Sequence, residues 1–188
     1  EPVSTADLAR DMLALLDACG VERAHIVGRS MGGAIAQHIA LMAPERVQSI
    51  VMCASFAKLD AFGARVLANM REVLEITGSW EIHARHSVRN FVSPEFFDAH
   101  PDRVAAIERL IGGETRLPAC YVRQNHACLE HDTLGELGRI RCPTLVLRGE
   151  QSDILLRETA EAMTQRGPKA QLVEFPGVGH APTLRAGT

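Results

Sequence analysis

No run of apolar residues in this chain of 188 approaches the roughly 18 that a membrane span needs. No charged start followed by an apolar core marks an export signal, so no membrane is expected as a partner and the cytoplasm is the expected compartment. No Lys/Arg run stands out either. The 20 basic and 23 acidic residues leave a formal net charge of -3, which argues against nucleic acid and favours a small, uncharged or mildly polar molecule as the partner. The five cysteines (Cys19, Cys53, Cys120, Cys128, Cys142) form no C-x-x-C pair, and their odd number and scatter support neither a disulfide framework nor a zinc site. They read as reduced thiols, mostly filling a core. There is no internal repeat and no low-complexity tract. What remains is a chain 46% hydrophobic and 23% charged, enough apolar material for one soluble globular domain. It opens at Glu1-Pro2 without a methionine and runs almost at once into a helical pattern, as though cut from a longer protein.

From Ser4 to Cys19, Leu8, Met12, Leu15 and Leu16 recur at helical spacing, with Ser4 or Thr5 as N-cap, Asp7 in the first turn and Gly20 as the stop. The apolar run Ala24 to Val27 leads into Gly28-Arg29-Ser30-Met31-Gly32-Gly33, and Ala34 to Met42 is again helical up to Pro44. Val47 to Ala54, Pro143 to Gly149 and Gln171 to Phe175 read as three further strands, the last two joined by a helix over Leu155 to Gln165. This alternation predicts an α/β fold, a mostly parallel sheet with helices on both faces. The alternation breaks from Phe56 to roughly Gly138. Helical stretches there (Phe62 to Ile76, Glu81 to Phe91, Pro101 to Leu110) are divided by Gly78, Pro94, Gly112-Gly113 and Pro118, which predicts a helical cap inserted over the sheet's edge. The chain accordingly divides into a first core part (1-56), the cap (57-138) and a second core part (139-188).

Gly28-x-Ser30-x-Gly32 falls where a strand turns sharply into a helix, the context of a nucleophile elbow. Glycines on either side permit the tight turn that lifts Ser30 Oγ off the sheet, and the following helix aims its N-terminal N–H groups at the same spot. The Met31 amide is thus the candidate oxyanion donor. Serine needs a base and the base needs an orienting partner. His180, in Gly177-Val178-Gly179-His180-Ala181-Pro182, and Asp153, after the strand ending in Gly149, follow Ser30 in the expected order and lie at strand C-terminal ends. Glu150 shares the chemistry of Asp153, which could instead cap the helix that follows. His83 and His86 have no metal-ligand spacing worth backing, so neither metal nor cofactor is expected. Trp80, Phe91, Phe96, Phe97 and Tyr121 could line an apolar pocket above Ser30, and Arg85, Arg89, Arg123 and His126 could meet a substrate carboxylate there.

The segment AHIVGRSMGGAIAQHIALMAPERVQSIVM resembles the elbow, helix and strand of the α/β-hydrolase superfamily, and PTLVLRGEQSD and GVGHAP resemble its acid and histidine segments. With the cap stretch FVSPEFFDAHPD and the later HDTLGELGRIRCPTL, the likeness is closest to the branch of 3-oxoadipate enol-lactonases, aminoacrylate hydrolases and small esterases. The resemblance implies an α/β-hydrolase fold, incomplete because about four N-terminal strands, a His-Gly loop carrying a second oxyanion donor and a last helix have no counterpart. A longer natural protein is expected. It also implies a serine hydrolase that cleaves an ester, lactone or related carbonyl substrate through an acyl-enzyme, without a cofactor. Carbon-carbon bond hydrolysis, acyl transfer on the same triad, and a non-catalytic ligand-binding protein remain alternatives, and the oligomeric state stays open.

Overall fold

The computed structural model describes residues 2–182. Helix α1 (Thr5–Ala18) begins as its first turn dictates: the Ser4 hydroxyl accepts the Asp7 N–H at 3.1 Å while the Asp7 carboxylate accepts the Ser4 N–H at 2.9 Å. This reciprocal box satisfies two of the orphan donors of a helix start. Strand β1 (Ala24–Arg29), helix α2 (Met31–Met42) and strand β2 (Val47–Cys53) follow, and strand β3 (Thr144–Gly149), helix α8 (Arg157–Arg166) and strand β4 (Ala170–Phe175) complete the sheet. All pairings are parallel, in the order β1-β2-β3-β4, with Ile26 beside Ile50, Met52 beside Val146 and Val146 beside Leu172.

Those five residues share one face of the sheet by the two-residue period of a strand. They pack in a single core with Ala9 of α1, Ala36, Ile39 and Ala40 of α2, and Ala160 and Met163 of α8. The parallel sheet and its helices are as the sequence implies, but α1, α2 and α8 gather on that one face rather than on both. On the opposite face Val27 is 72% exposed and Val173 42%.

Between β2 and β3 lie α3 (Ala61–Thr77), α4 (Trp80–Ser87), α5 (Pro94–Ala99), α6 (Pro101–Gly112) and α7 (Pro118–Leu129), with a 3₁₀ turn over Val88–Asn90. Helices α5 and α7 were not expected, because Pro94 and Pro118 read as dividers. Both stand in a first helical turn, where the missing N–H costs nothing and the fixed φ favours the helix. Helix α8 starts two residues later than the pattern suggests, since Ile154 and Leu155 are buried in the preceding loop. Of the cysteines, all free, only Cys53 and Cys128 are buried, so the expected core role holds for two and not for exposed Cys19. Among the described residues no helix is long and apolar enough to cross a membrane.

Candidate active site

Ser30 occupies the junction of β1 and α2 with φ 50 and ψ -118, a left-handed conformation that a side chain adopts only when its surroundings enforce it. The enforcement is visible. The Ser30 N–H donates to the Cys53 carbonyl at 2.9 Å, and its own carbonyl accepts the Gly33 N–H at 3.0 Å. A Cβ on Gly28 would collide with the Gly32 carbonyl, and one on Gly33 with the Ser55 side chain. At Gly32 a Cβ would meet nothing within 4 Å, so this glycine of the motif answers no clash among the described residues. Met31 is the first residue of α2, where a helix N–H has no intrahelical carbonyl to donate to.

His180, 1% exposed, brings Nε2 to 3.4 Å from Ser30 Oγ although 150 positions separate the two. The Phe91 ring lies tilted over the imidazole with centroids 6.5 Å apart, and the Phe91 carbonyl accepts the Ala181 N–H at 2.8 Å, so the residue that follows the 3₁₀ turn helps seat the histidine. Burial pushes the His180 imidazole down to about 3, and the Arg29 charge acts in the same direction. Among the described residues no carboxylate offsets either effect.

The sequence assigned that carboxylate to Asp153, and here the structure departs from the expectation. Asp153 is exposed, and the atom within hydrogen-bond reach of His180 Nδ1 is Ser152 Oγ, at 3.1 Å. Consecutive loop residues point to different sides, so one position decides between core and solvent. Glu150 is also committed elsewhere: its carboxylate accepts the Gly177 N–H at 2.9 Å. The loop after β3 and the loop after β4 are further tied by Glu150 N–H to the Phe175 carbonyl at 3.0 Å and Gln151 N–H to the Val178 carbonyl at 2.8 Å. Buried Arg148 closes the frame, donating to the Leu155 and Glu150 carbonyls at 2.9 Å each and pairing with Glu174, its register partner on β4. Backbone contact is intimate here, since a Cβ on Gly149 would strike the Gly179 carbonyl.

A cavity of about 420 Å³ opens above Ser30 and His180. Leu67, Met70, Ile107 and Ile111 make much of its wall apolar, and Trp80, Phe91 and Tyr121 join them as the sequence suggested. Phe96 instead lines a second cavity behind the His180 loop, and Phe97 is an exposed helix residue. Arg85, Arg89, Arg123 and His126 do not line the cavity; Arg85 pairs with Glu81 at 3.7 Å and His126 meets Arg71 at 3.2 Å. Sequence reasoning passed over other polar groups that do, among them Arg29, Glu114, Arg116, Gln124 and Asn125. Arg29 could have been found as the residue between the glycine and serine of the motif. Burial pushes both the Tyr121 hydroxyl and the Cys128 thiol, which also line this cavity, up to about 12, which keeps both in their protonated forms near neutral pH. Among the described residues no group of three or more His, Cys, Asp or Glu side chains could hold a metal ion.

The sequence pattern of the alpha/beta hydrolase family matches residues 1–188. The chain is 28% identical over 186 residues to the "Putative carbamate hydrolase RutD" of Azorhizobium caulinodans, an alignment covering 96% of this chain and 68% of that protein. It is 30% identical over 169 residues to 3-oxoadipate enol-lactonase 1 of Acinetobacter baylyi, covering 88% of this chain and 60% of that one. The solved structure of a thermophilic esterase from Thermogutta terrifontis superposes with a TM-score of 0.83 at 25% identity, covering 98% of this chain and 68% of the esterase.

Proposed function

Because the chain belongs to the alpha/beta hydrolase family, we propose that it hydrolyses an ester, lactone or related carbonyl substrate through an acyl-enzyme on Ser30. The observation that carries this reading is the approach of His180 Nε2 to Ser30 Oγ at 3.4 Å, on a serine held in a strained turn at a helix N-terminus. That separation is at the long end of hydrogen-bond reach, and a substrate seated against Ser30 would tighten it. The Ser30 oxygen adds to the carbonyl carbon as His180 Nε2 takes its proton, and the Met31 N–H donates to the oxygen that becomes negative. Collapse expels the leaving group, which takes the proton back from His180. Water then attacks the Ser30 ester with the same imidazole as base, releasing the acid and the free serine. Each step uses one proton acceptor and returns it, so no cofactor is required.

The names of the relatives, a carbamate hydrolase, an enol-lactonase and an esterase, share a carbonyl carbon bearing an oxygen or nitrogen leaving group. The apolar cavity suits the acyl portion of such a small molecule. A fluorophosphonate probe read by mass spectrometry tests the reading, because phosphonylation requires an activated serine and not just a pocket. Modification is expected at Ser30, together with turnover of short p-nitrophenyl esters, and Ser30→Ala should remove both while leaving the far-ultraviolet circular dichroism unchanged. Ester turnover that survives Ser30→Ala would overturn the assignment.

A further inference from the structure

We infer that Ser152 is the positioning residue of the site, a hydroxyl orienting His180 where a carboxylate would ordinarily do so; this rests on the reading of Ser30 and His180 as nucleophile and base. Ser152 is 3% exposed, its Oγ stands 3.1 Å from His180 Nδ1, and the same oxygen accepts the Leu155 N–H at 3.1 Å. The backbone bearing it is fixed by the Ser152 N–H to the Gly149 carbonyl at 3.2 Å and by the Arg148 frame on either side. Among the described residues no carboxylate hydrogen-bonds to His180, and Asp153 points into solvent.

The lone pairs determine what such a residue can do. A serine oxygen has two lone pairs and one proton. The Leu155 N–H takes one lone pair. If His180 carries its proton on Nδ1, that N–H donates to the second lone pair, and Nε2 is left bare to accept the Ser30 proton. If instead the Ser152 O–H donates to Nδ1, the imidazole proton sits on Nε2, facing Ser30 and blocking transfer. A carboxylate accepts only, so it enforces the first arrangement and adds a negative charge to stabilise the imidazolium. The hydroxyl fixes the ring's orientation but permits both tautomers and adds no charge. Turnover is therefore supported by Ser152 and held below what the rest of the site allows.

Kinetics of four variants on a p-nitrophenyl ester, with melting temperatures, test this. Ser152→Ala should lower kcat about tenfold with KM within about twofold, and Ser152→Thr, which keeps the hydroxyl, should recover most of the loss. Ser152→Asp should raise kcat about tenfold or more and move the acid limb of the kcat/KM profile upward by at least about one pH unit, because a carboxylate favours the charged imidazole. Asp153→Asn should turn over within about twofold of the parent. An Asp153→Asn variant that loses about a hundredfold or more would overturn the inference, since Asp153 would then swing onto His180 in the working enzyme. Equal rates for Ser152→Ala and the parent would overturn it as well. Should Ser152→Asp fail to melt cooperatively, the Ala, Thr and Asn variants decide by themselves. Phosphonylation of Ser30 alongside indifferent Ser152 variants would sink this inference alone, whereas turnover without Ser30 would sink the function it rests on.

Discussion

Acidification should weaken the fold between pH 6.5 and 4 by an amount traceable to one side chain, His131. It is 3% exposed, and its ring sits edge-on to His38 and Phe56 at 5.1 and 5.7 Å. Its tautomer follows from a chain of partners. The Gln37 amide donates to the Phe56 and Gly33 carbonyls at 2.8 and 3.2 Å, so Gln37 Oε1 is left as acceptor of the Thr133 hydroxyl proton at 2.6 Å. Thr133 Oγ1 must then accept from His131 Nε2–H at 3.2 Å, and His131 Nδ1 accepts the Thr5 hydroxyl proton at 2.8 Å. The neutral imidazole is fully satisfied, while a second proton would replace that acceptor with a donor in a buried site. Burial, with a smaller push from His38 against the weaker pull of Asp132, brings the folded value down from 6.5 to about 4. A depressed folded value means that above pH 6.5 both states are neutral and nothing is lost. As pH falls toward 4 the unfolded chain takes up the proton first, and below 4 the loss stops growing. Roughly 2.5 units at about 1.4 kcal/mol each gives a loss of about 3 kcal/mol over that window. Urea unfolding of the parent and of His131→Gln, at half-unit steps from pH 7.5 to 3.5, isolates this contribution. His180 and His83, also depressed by burial, act in both proteins and cancel in the difference, and repeating the pair in a His38→Gln background removes the coupling between His38 and His131. The two stability curves should diverge at low pH by about 1.4 kcal/mol per unit and run parallel above pH 7. Parallel curves throughout would show that His131 is not held neutral.

The two glycines of the elbow motif should separate by mutation: Gly28→Ala drives a methyl into the Gly32 carbonyl and should cost at least about 3 kcal/mol in urea melts, whereas Gly32→Ala, with open space around it, should change stability by no more than about 1 kcal/mol. Equal losses at both positions would contradict the contact pattern. Arg148→Met leaves Glu174 without its buried partner and releases the Glu150 and Leu155 carbonyls, so a loss of about 3 kcal/mol or more is expected together with reduced ester turnover. Turnover preserved in a variant destabilised by that much would separate the Arg148 frame from the histidine's placement.

The elbow was legible because all of its signals are local: an apolar strand, glycines at fixed offsets and a helix, read within about fifteen residues of Ser30. His180 was legible through its glycine-bounded loop after a strand. The structure places Asp153 away from His180 for a physical reason. Sequence reasoning weighs residue types, and a carboxylate is the usual partner of a catalytic histidine, yet a loop residue's direction depends on register, and the Arg148 frame turns Ser152 inward and Asp153 out. That frame had a readable signal. Thr144, Val146 and Arg148 alternate on one side of β3 and all are buried, so the arginine interrupts an inward-facing row and calls for a partner, which Glu174 supplies across the ladder. Helices α5 and α7 were hidden by reading proline as a breaker where it was a beginning.

The same frame explains why a hydroxyl can stand where a charge is usual. A carboxylate facing a histidine draws the ring by charge over several ångströms, so its loop tolerates some freedom; a neutral oxygen holds the ring only at contact distance. Ser152 must therefore be placed by other means. The structure supplies them in the backbone bonds of Glu150, Gln151 and Ser152, the Glu150 carboxylate on Gly177, and the three bonds of Arg148. The rigidity lies in groups that never approach the substrate. What they fix is the position of Nδ1, and through it the direction in which Nε2 faces Ser30. They leave the proton free to sit on either nitrogen, and on that choice the basicity toward Ser30 depends.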